Sequence, residues 1–240
     1  MRVSYDLHIH SSLSPCADND MTPNNIVNMS ILKGLDVIAV TDHNSCKNVR
    51  ACMDCAQNTP LLLIPGMEVE TAEEIHVICL FKDIEAATEM QNQVYSRLPG
   101  LKNREDIFGE QLVLDAQDEV AAKEDRLLLT STSMTINEVF ELVNGKLGGL
   151  AIPAHIDRQA NSVLAVLGAI PGDIDIRCVE ISSSNIERVL VNKYPELKNI
   201  NKVYSSDAHY LGNINEPKNY IEADSLTAES VLAALGRKNF

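Results

Sequence analysis

The stretch DVIAVTDH, residues 36–43, decides how this chain folds. Val37 to Val40 are apolar without interruption, the pattern of a strand covered on both faces, and an aspartate and a histidine stand just past its end. The segment before it, TPNNIVNMSILKGL (22–35), has helical spacing. Thr22 is placed to cap it, Pro23 to open it and Gly34 to stop it. VSYDL (3–7) reads as an earlier strand. Downstream, SCKNVRACMDCAQN (45–58) reads as a helix, and LLLIP, MEVE and IHVICLF as further strands. Strand and helix alternating in this rhythm predict an α/β fold with a mainly parallel sheet or barrel.

The middle of the chain breaks the rhythm. From Asp83 a helical stretch leads into EQLVL (110–114) and EVAA (119–122), separated by DAQD, which reads as a β-hairpin. The expected division is a barrel from residues 1–82 and 134–240, with 83–133 as a small inserted cap. Thr135 then caps INEVFELVNGKLG (136–148), whose Ile136, Val139, Phe140, Leu142 and Val143 make one apolar helical face. GGLAIPAH, DIRCVEISS and NKVYSSDAH resume the strand pattern, and TAESVLAALGRK (227–238) reads as a closing helix.

Composition narrows the function classes. A net charge of −14 over 240 residues argues against an extended basic groove for nucleic acid. It leaves room for a small phosphorylated substrate, a nucleotide included, because bound cations make a site locally positive. No apolar run approaches the roughly 20 residues that span a bilayer. The chain enters a polar motif at once, so a cytoplasmic protein without a signal peptide is expected. The six cysteines are expected as reduced thiols, and CMDC (52–55) lacks the second C-x-x-C of a zinc ribbon.

The six histidines carry the chemistry. His8 and His10 follow the first strand, His43 ends DVIAVTDH, His155 ends GGLAIPAH and His209 ends NKVYSSDAH. In a parallel barrel those strand ends converge on one rim. His76 is the exception, since it opens a strand. Acidic residues accompany them: Asp42 beside His43, Asp207 two before His209, and Glu68 and Glu70 in PGMEVE. Imidazole with carboxylate suits Zn, Mn or Fe more than Ca or Mg. In an extended segment His8 and His10 point to one face, so the pair can clamp one ion. A lone histidine is usually structural; all six beside buried-type strands make a metal centre the better reading.

These motifs, DLHIHS, VTDHNS, PGMEVE, His76, PAH and SSDAH, resemble in order those of the PHP family, named for polymerase and histidinol phosphatase domains. The resemblance implies a distorted (β/α)7 barrel with two or three divalent metal ions at the strand C-termini. It implies that His8, His10 and Asp207 hold one metal, and that Glu68 bridges to a second completed by His76 and His155. His43 and His209 would hold a third. Family members often place a His or Asp seven or eight residues past the first motif histidine, where this chain has Pro15 and Cys16; Asp18 is the expected ligand, with Cys16, Asp20 or a weakly held third ion as the alternatives.

The implied activity is hydrolysis of a phosphomonoester or nucleotide phosphate by metal-activated hydroxide. Arg158, in PAHIDR, is the candidate phosphate-binding fork. Asp207 and His209 are the remaining candidate catalytic groups, and Asp42 is expected to orient His43 or touch a metal. An exonuclease on short nucleic-acid ends, a non-catalytic metal-binding regulatory domain and an amide or ester hydrolase are the competing readings.

Overall fold

A computed structural model describes residues 1–237. β1 (Arg2–Ile9), β2 (Val37–Val40) and β3 (Leu62–Glu70) run parallel, joined by α1 (Pro23–Lys33) and α2 (Val49–Ala56). Thr22 caps α1 through the Asn25 N–H, and Gly34 ends it at φ +81°, as the sequence predicts. All four residues of β2 are buried. Val37 and Ala39 join one apolar cluster and Ile38 and Val40 another, which is why the strand alternates nowhere.

β3 is a single strand where the sequence suggests two. It pairs with β2 as far as Pro65, and from Gly66 it pairs with β4 (His76–Leu80). At this exchange a Cβ on residue 66 would sit 2.9 Å from the Thr41 methyl and 3.2 Å from the Cys79 carbonyl oxygen, so glycine is required for close approach. β4 runs antiparallel to β3, with Glu70 opposite His76. β7 (Leu150–Pro153) in turn pairs antiparallel with β4.

Between them lie α3 (Ile84–Tyr95), α4 (Glu105–Phe108) and the antiparallel hairpin β5 (Leu112–Leu114) and β6 (Val120–Lys123). α3 packs Ala87, Met90 and Val94 into the main core. The hairpin lies against the loop after β1: Leu112 N–H donates to Ser12 O, while Asn48 donates to Leu112 O and accepts from Leu114 N–H. α5 (Ile136–Phe140) starts at the predicted Thr135 cap, which forms a capping box with Glu138, and widens into a π turn over Glu141–Lys146.

The C-terminal third holds α6 (Val163–Leu167), β8 (Cys178–Glu180), α7 (Glu187–Lys193), β9 (Asn201–Val203), β10 (Tyr220–Glu222) and α8 (Ala228–Leu235). The closing helix stops short of the predicted span, and Lys238 lies outside the described residues. Six strands in the order β10-β1-β2-β3-β4-β7 form a curled half-barrel, and β8 and β9 form a separate parallel pair. The expected ring of seven strands is thus not one continuous sheet among the described residues. β8 and β9 are only three residues long, and the segment between β9 and β10 meets β1 through a single bridge, Ile9 to Ala208. β10, antiparallel to β1, was not visible in a three-residue YIE that carries no periodicity.

Candidate metal centre

Glu68 is the hub of the site. It is 1% exposed, and ring nitrogens of five histidines surround its carboxylate. His43 Nδ1 and His76 Nδ1 lie 3.0 Å from it, His8 Nε2 3.3 Å, His155 Nε2 3.4 Å and His10 Nε2 3.5 Å. His76 belongs here because β4 is antiparallel. Its first residue lies at the rim where the parallel strands end, so the apparent exception in the sequence obeys the same geometry.

The donor set calls for cations. His8 Nδ1 bonds to Glu180 at 3.0 Å and His10 Nδ1 to Ser14 Oγ at 3.0 Å, so each ring proton is committed there. With both imidazoles neutral, as metal binding requires, their Nε2 atoms carry lone pairs and face each other at 3.1 Å and Asp207 Oδ1 at 3.3 and 3.0 Å. Neither oxygen of Glu68 has a hydrogen bond of sound geometry, although both are buried. Acceptors converging on acceptors at such depth are costly unless a cation lies among them. Three groups have ligand atoms mutually within 4.8 Å: His8, His10 and Asp207; His43, Glu68 and His76; and His10, His43 and His209. His155 approaches the second group through Glu68.

The surrounding residues hold these ligands in place. Glu180, at the end of β8, accepts from His8 Nδ1 and from the His155 N–H, tying two ligands together from the separate strand pair. The sequence reading missed it; its one signal is an acidic residue at the end of CVE, a strand end like those carrying the histidines. Asp42 does not orient His43 through its side chain, as expected, but accepts from Ser11 N–H, Ser11 Oγ and Ser14 Oγ. It acts on His10 through Ser14. His155 and Asp207 adopt positive φ, +30° and +51°. Backbone of this kind costs about 1–3 kcal/mol per residue and persists where the surroundings dictate it, as at binding sites.

Four other expected residues lie at the edge. Arg158 Nη1 meets Asp207 Oδ2 at 2.6 Å and is about half exposed, so it pairs with a metal-ligand carboxylate and not with Asp157, whose Oδ1 accepts from Ser182 N–H. Asp18 and Asp20 are exposed, and the Asp18 carboxylate accepts from Asp20 N–H, away from the clusters. Glu70 reaches only His76, at 3.8 Å, and accepts from Ser131. Cys16 of the same loop is exposed as well.

Charge settles on the cluster in a definite way when no ion is bound. Burial would push His8 and His43 down, yet the carboxylates around them hold both well above the usual imidazole range. His76 is likewise raised to about 9, chiefly by Glu68. Burial and the neighbouring His43 charge depress His10 to about 3. Burial opposes ionisation of Glu68 and Asp207, but the histidines keep both well below the carboxylate range. Desolvation would raise the Cys16 thiol, and hydrogen bonds from His209 and His43 bring it down to about 7.

Comparison with known proteins gives the family. The PHP domain profile matches residues 6–211. The chain belongs to the PHP family. A stretch of 87 residues is 33% identical to the 5'-3' exoribonuclease Rnm of Salmonella typhimurium, covering 34% of this chain and 29% of that protein. The 5'-3' exoribonuclease of Haemophilus influenzae is 31% identical over 83 residues, 33% and 29% of the two chains. The matched stretches thus span under a third of each relative's length. Among solved structures, the lesion-specific endonuclease PfuEndoQ of Pyrococcus furiosus superposes with a TM-score of 0.72 at 20% identity, over 98% of this chain and 56% of its own. An amidohydrolase of Chromobacterium violaceum gives 0.57 at 14% identity, over 93% of each. These two likenesses show the fold alone. No helix among the described residues is long and apolar enough to cross a membrane.

Proposed function

We propose that this PHP domain is a metal-dependent phosphoesterase that cleaves a phosphodiester near the end of a short nucleic acid or oligonucleotide. Two or three divalent ions would sit on the His8–His10–Asp207 group, the Glu68–His76–His155 group and the His43–His209 group. Such ions supply an activated hydroxide and neutralise the attacking and leaving oxygens. The observation that carries the reading is the hub itself: a buried carboxylate without a sound hydrogen bond, ringed by five imidazoles, at a rim that opens to solvent beside Arg158.

The choice of nucleic acid over a small phosphomonoester, the sequence-based expectation, comes from the relatives. Both curated relatives are named 5'-3' exoribonucleases, and PfuEndoQ is named an endonuclease. The net charge of −14 then limits how much of the strand is held, because few phosphates can be neutralised by side chains. A hollow of about 460 Å³ lined by His76, His155, Asp157, Arg158, Gln159, Ala160 and Asn161 adjoins the hub. It has room for one terminal nucleotide, and Arg158 is the cation available there to grip a phosphate.

The test is a panel of 5'-phosphorylated RNA and DNA oligonucleotides beside phosphorylated metabolites, on protein loaded separately with Mn, Fe and Zn. Mononucleotide release from oligonucleotides is the expected result. Release of inorganic phosphate from metabolites alone would return the reading to a phosphomonoesterase, and inactivity with all three metals would favour a non-catalytic domain. Arg158→Ala is expected to raise KM for a 5'-phosphorylated end by roughly tenfold or more, the scale of a lost charge-assisted hydrogen bond of about 1.5–3 kcal/mol. An unchanged KM would remove Arg158 from the substrate.

A further inference from the structure

We propose that Asn48 is a positioning residue that couples the seating of the inserted β5–β6 hairpin to the ring orientation of the metal ligand His10. The proposal rests on the metal-centre reading above and concerns a residue outside the motifs shared with the family.

Asn48 stands at the N-cap of α2, yet its side chain makes no capping bond there. An asparagine in that place ordinarily accepts from the first free N–H groups of its helix and stabilises it. Here the amide is fully buried and spent elsewhere. Its Oδ1 accepts from Leu114 N–H at 2.9 Å, and its Nδ2 donates to Leu112 O at 2.9 Å and to Ser11 Oγ at 3.0 Å. The hairpin backbone, with one N–H and one carbonyl, thus fixes which end of the amide is oxygen and which is nitrogen.

From Ser11 onward each proton has one direction. Asp42 accepts from Ser11 Oγ at 2.6 Å, from Ser11 N–H at 2.7 Å and from Ser14 Oγ at 2.7 Å. The Ser14 hydroxyl has a single proton, and giving it to Asp42 leaves its oxygen as an acceptor. That oxygen receives His10 Nδ1–H at 3.0 Å and His43 N–H at 3.2 Å. In the neutral His10 ring the proton is then on Nδ1 and the lone pair on Nε2, towards Asp207. An unbroken series of hydrogen bonds runs from the hairpin backbone to a ligand ring.

His8 provides the contrast. Its Nδ1 is held at 3.0 Å by Glu180 of β8, an arrangement built from another part of the chain. Two ligands of one ion therefore answer to different parts of the fold, and the inserted segment braces only one of them.

Hydrogen exchange of the histidine ring protons, followed by nitrogen-15 NMR on the full metal-free chain, tests this without reading activity. Asn48→Asp keeps the shape but sets acceptors against Leu112 O and Ser11 Oγ. Ser11→Ala breaks the series one link further on and leaves the hairpin's own contacts with Asn48 in place. Each is expected to speed exchange of the His10 Nδ1 proton by roughly tenfold or more, through local opening, and to leave the His8 Nδ1 proton unchanged. Asp115→Ala frees two N–H groups of the hairpin turn, which its carboxylate binds at 2.9 Å, and should move the His10 proton in the same direction. In zinc titrations Asn48→Asp and Ser11→Ala should weaken the first ion by about 10–100-fold, the usual effect of losing a ligand's outer partner. An unchanged His10 proton, or equal acceleration at His8 and His10, would overturn the positioning role. Indifference to Asp115→Ala would overturn the hairpin's part in it. A wild-type chain that binds no zinc would overturn the metal-centre reading, while the exchange comparison still decides whether the hairpin sets the ring.

Discussion

Glu68→Gln is expected to abolish most hydrolysis, by at least about 10³-fold, because the Lewis-acid contribution it supports is worth several kcal/mol and each 1.36 kcal/mol is tenfold. The side chain is nearly isosteric, so shape is preserved and charge is not. Five imidazoles lie within 3.5 Å of this carboxylate, whereas Asp207 reaches two of them, His8 and His10. An amide cannot bridge two cations, and its NH2 would point at nitrogen lone pairs. Metal analysis should show the loss of at least one ion per chain. Glu70→Gln is the control, since Glu70 approaches only His76, at 3.8 Å, and its effect should be tenfold or less. Equal activity of Glu68→Gln and wild type at full metal content would remove Glu68 from the centre.

Metal removal is expected to have the other large effect, on stability as well as on activity. A ligand present at a thousandfold excess over its Kd stabilises by about 4 kcal/mol. For a chain of this size each kcal/mol shifts Tm by about 2–4 °C, so chelation should lower it by roughly 8–16 °C. The effect grows with pH. In the metal-free protein His76 is held at about 9, above its ordinary value, so its contribution to folding is whole below about 6.5 and is lost as pH rises towards 9. His8 and His43, also raised, act in the same direction. Metal binding requires these imidazoles neutral and so strengthens over the same interval, whereas His10, already at about 3, has no proton to give up. Calorimetry at pH 6 and pH 8.5 should therefore show a wider gap between loaded and metal-free protein at the higher pH. A Tm indifferent to chelation at both would contradict the centre.

What the sequence made legible follows from how local each signal is. β2 could be read because burial on both faces forces an unbroken apolar run, and α1 because Thr22, Pro23 and Gly34 mark its ends within one turn. Five of the six histidines could be placed at one rim from strand ends, but the reason His76 joins them, the reversal of β4, is a matter of pairing that no local pattern records. Glu180 escaped notice because its partner, the His8 ring, is 172 positions away. Asp18 was expected to complete the third site from its place in the loop after the first strand. Only the loop's hydrogen bonds show the Asp18 carboxylate turned to Asp20. The short β8, β9 and β10 carry too few residues for periodicity to count strands, hence the expectation of a seven-membered ring.

The bridge from Ile9 to Ala208 also fixes when the centre can exist during folding. His8 and His10 emerge among the first ten residues, and their partner Asp207 lies 197 positions after His10. Contacts of such sequence separation form late, since loop closure precedes any reward. Early strands can pair as β1, β2 and β3 form, but a nascent chain lacking the segment after β9 has half of its first ion site. Metal capture is therefore expected as a closing event, following collapse and not nucleating it. Refolding traced in parallel by far-ultraviolet circular dichroism and cobalt absorption should show the colour trailing the secondary structure. Simultaneous appearance would mean that the ion organises the strands around itself.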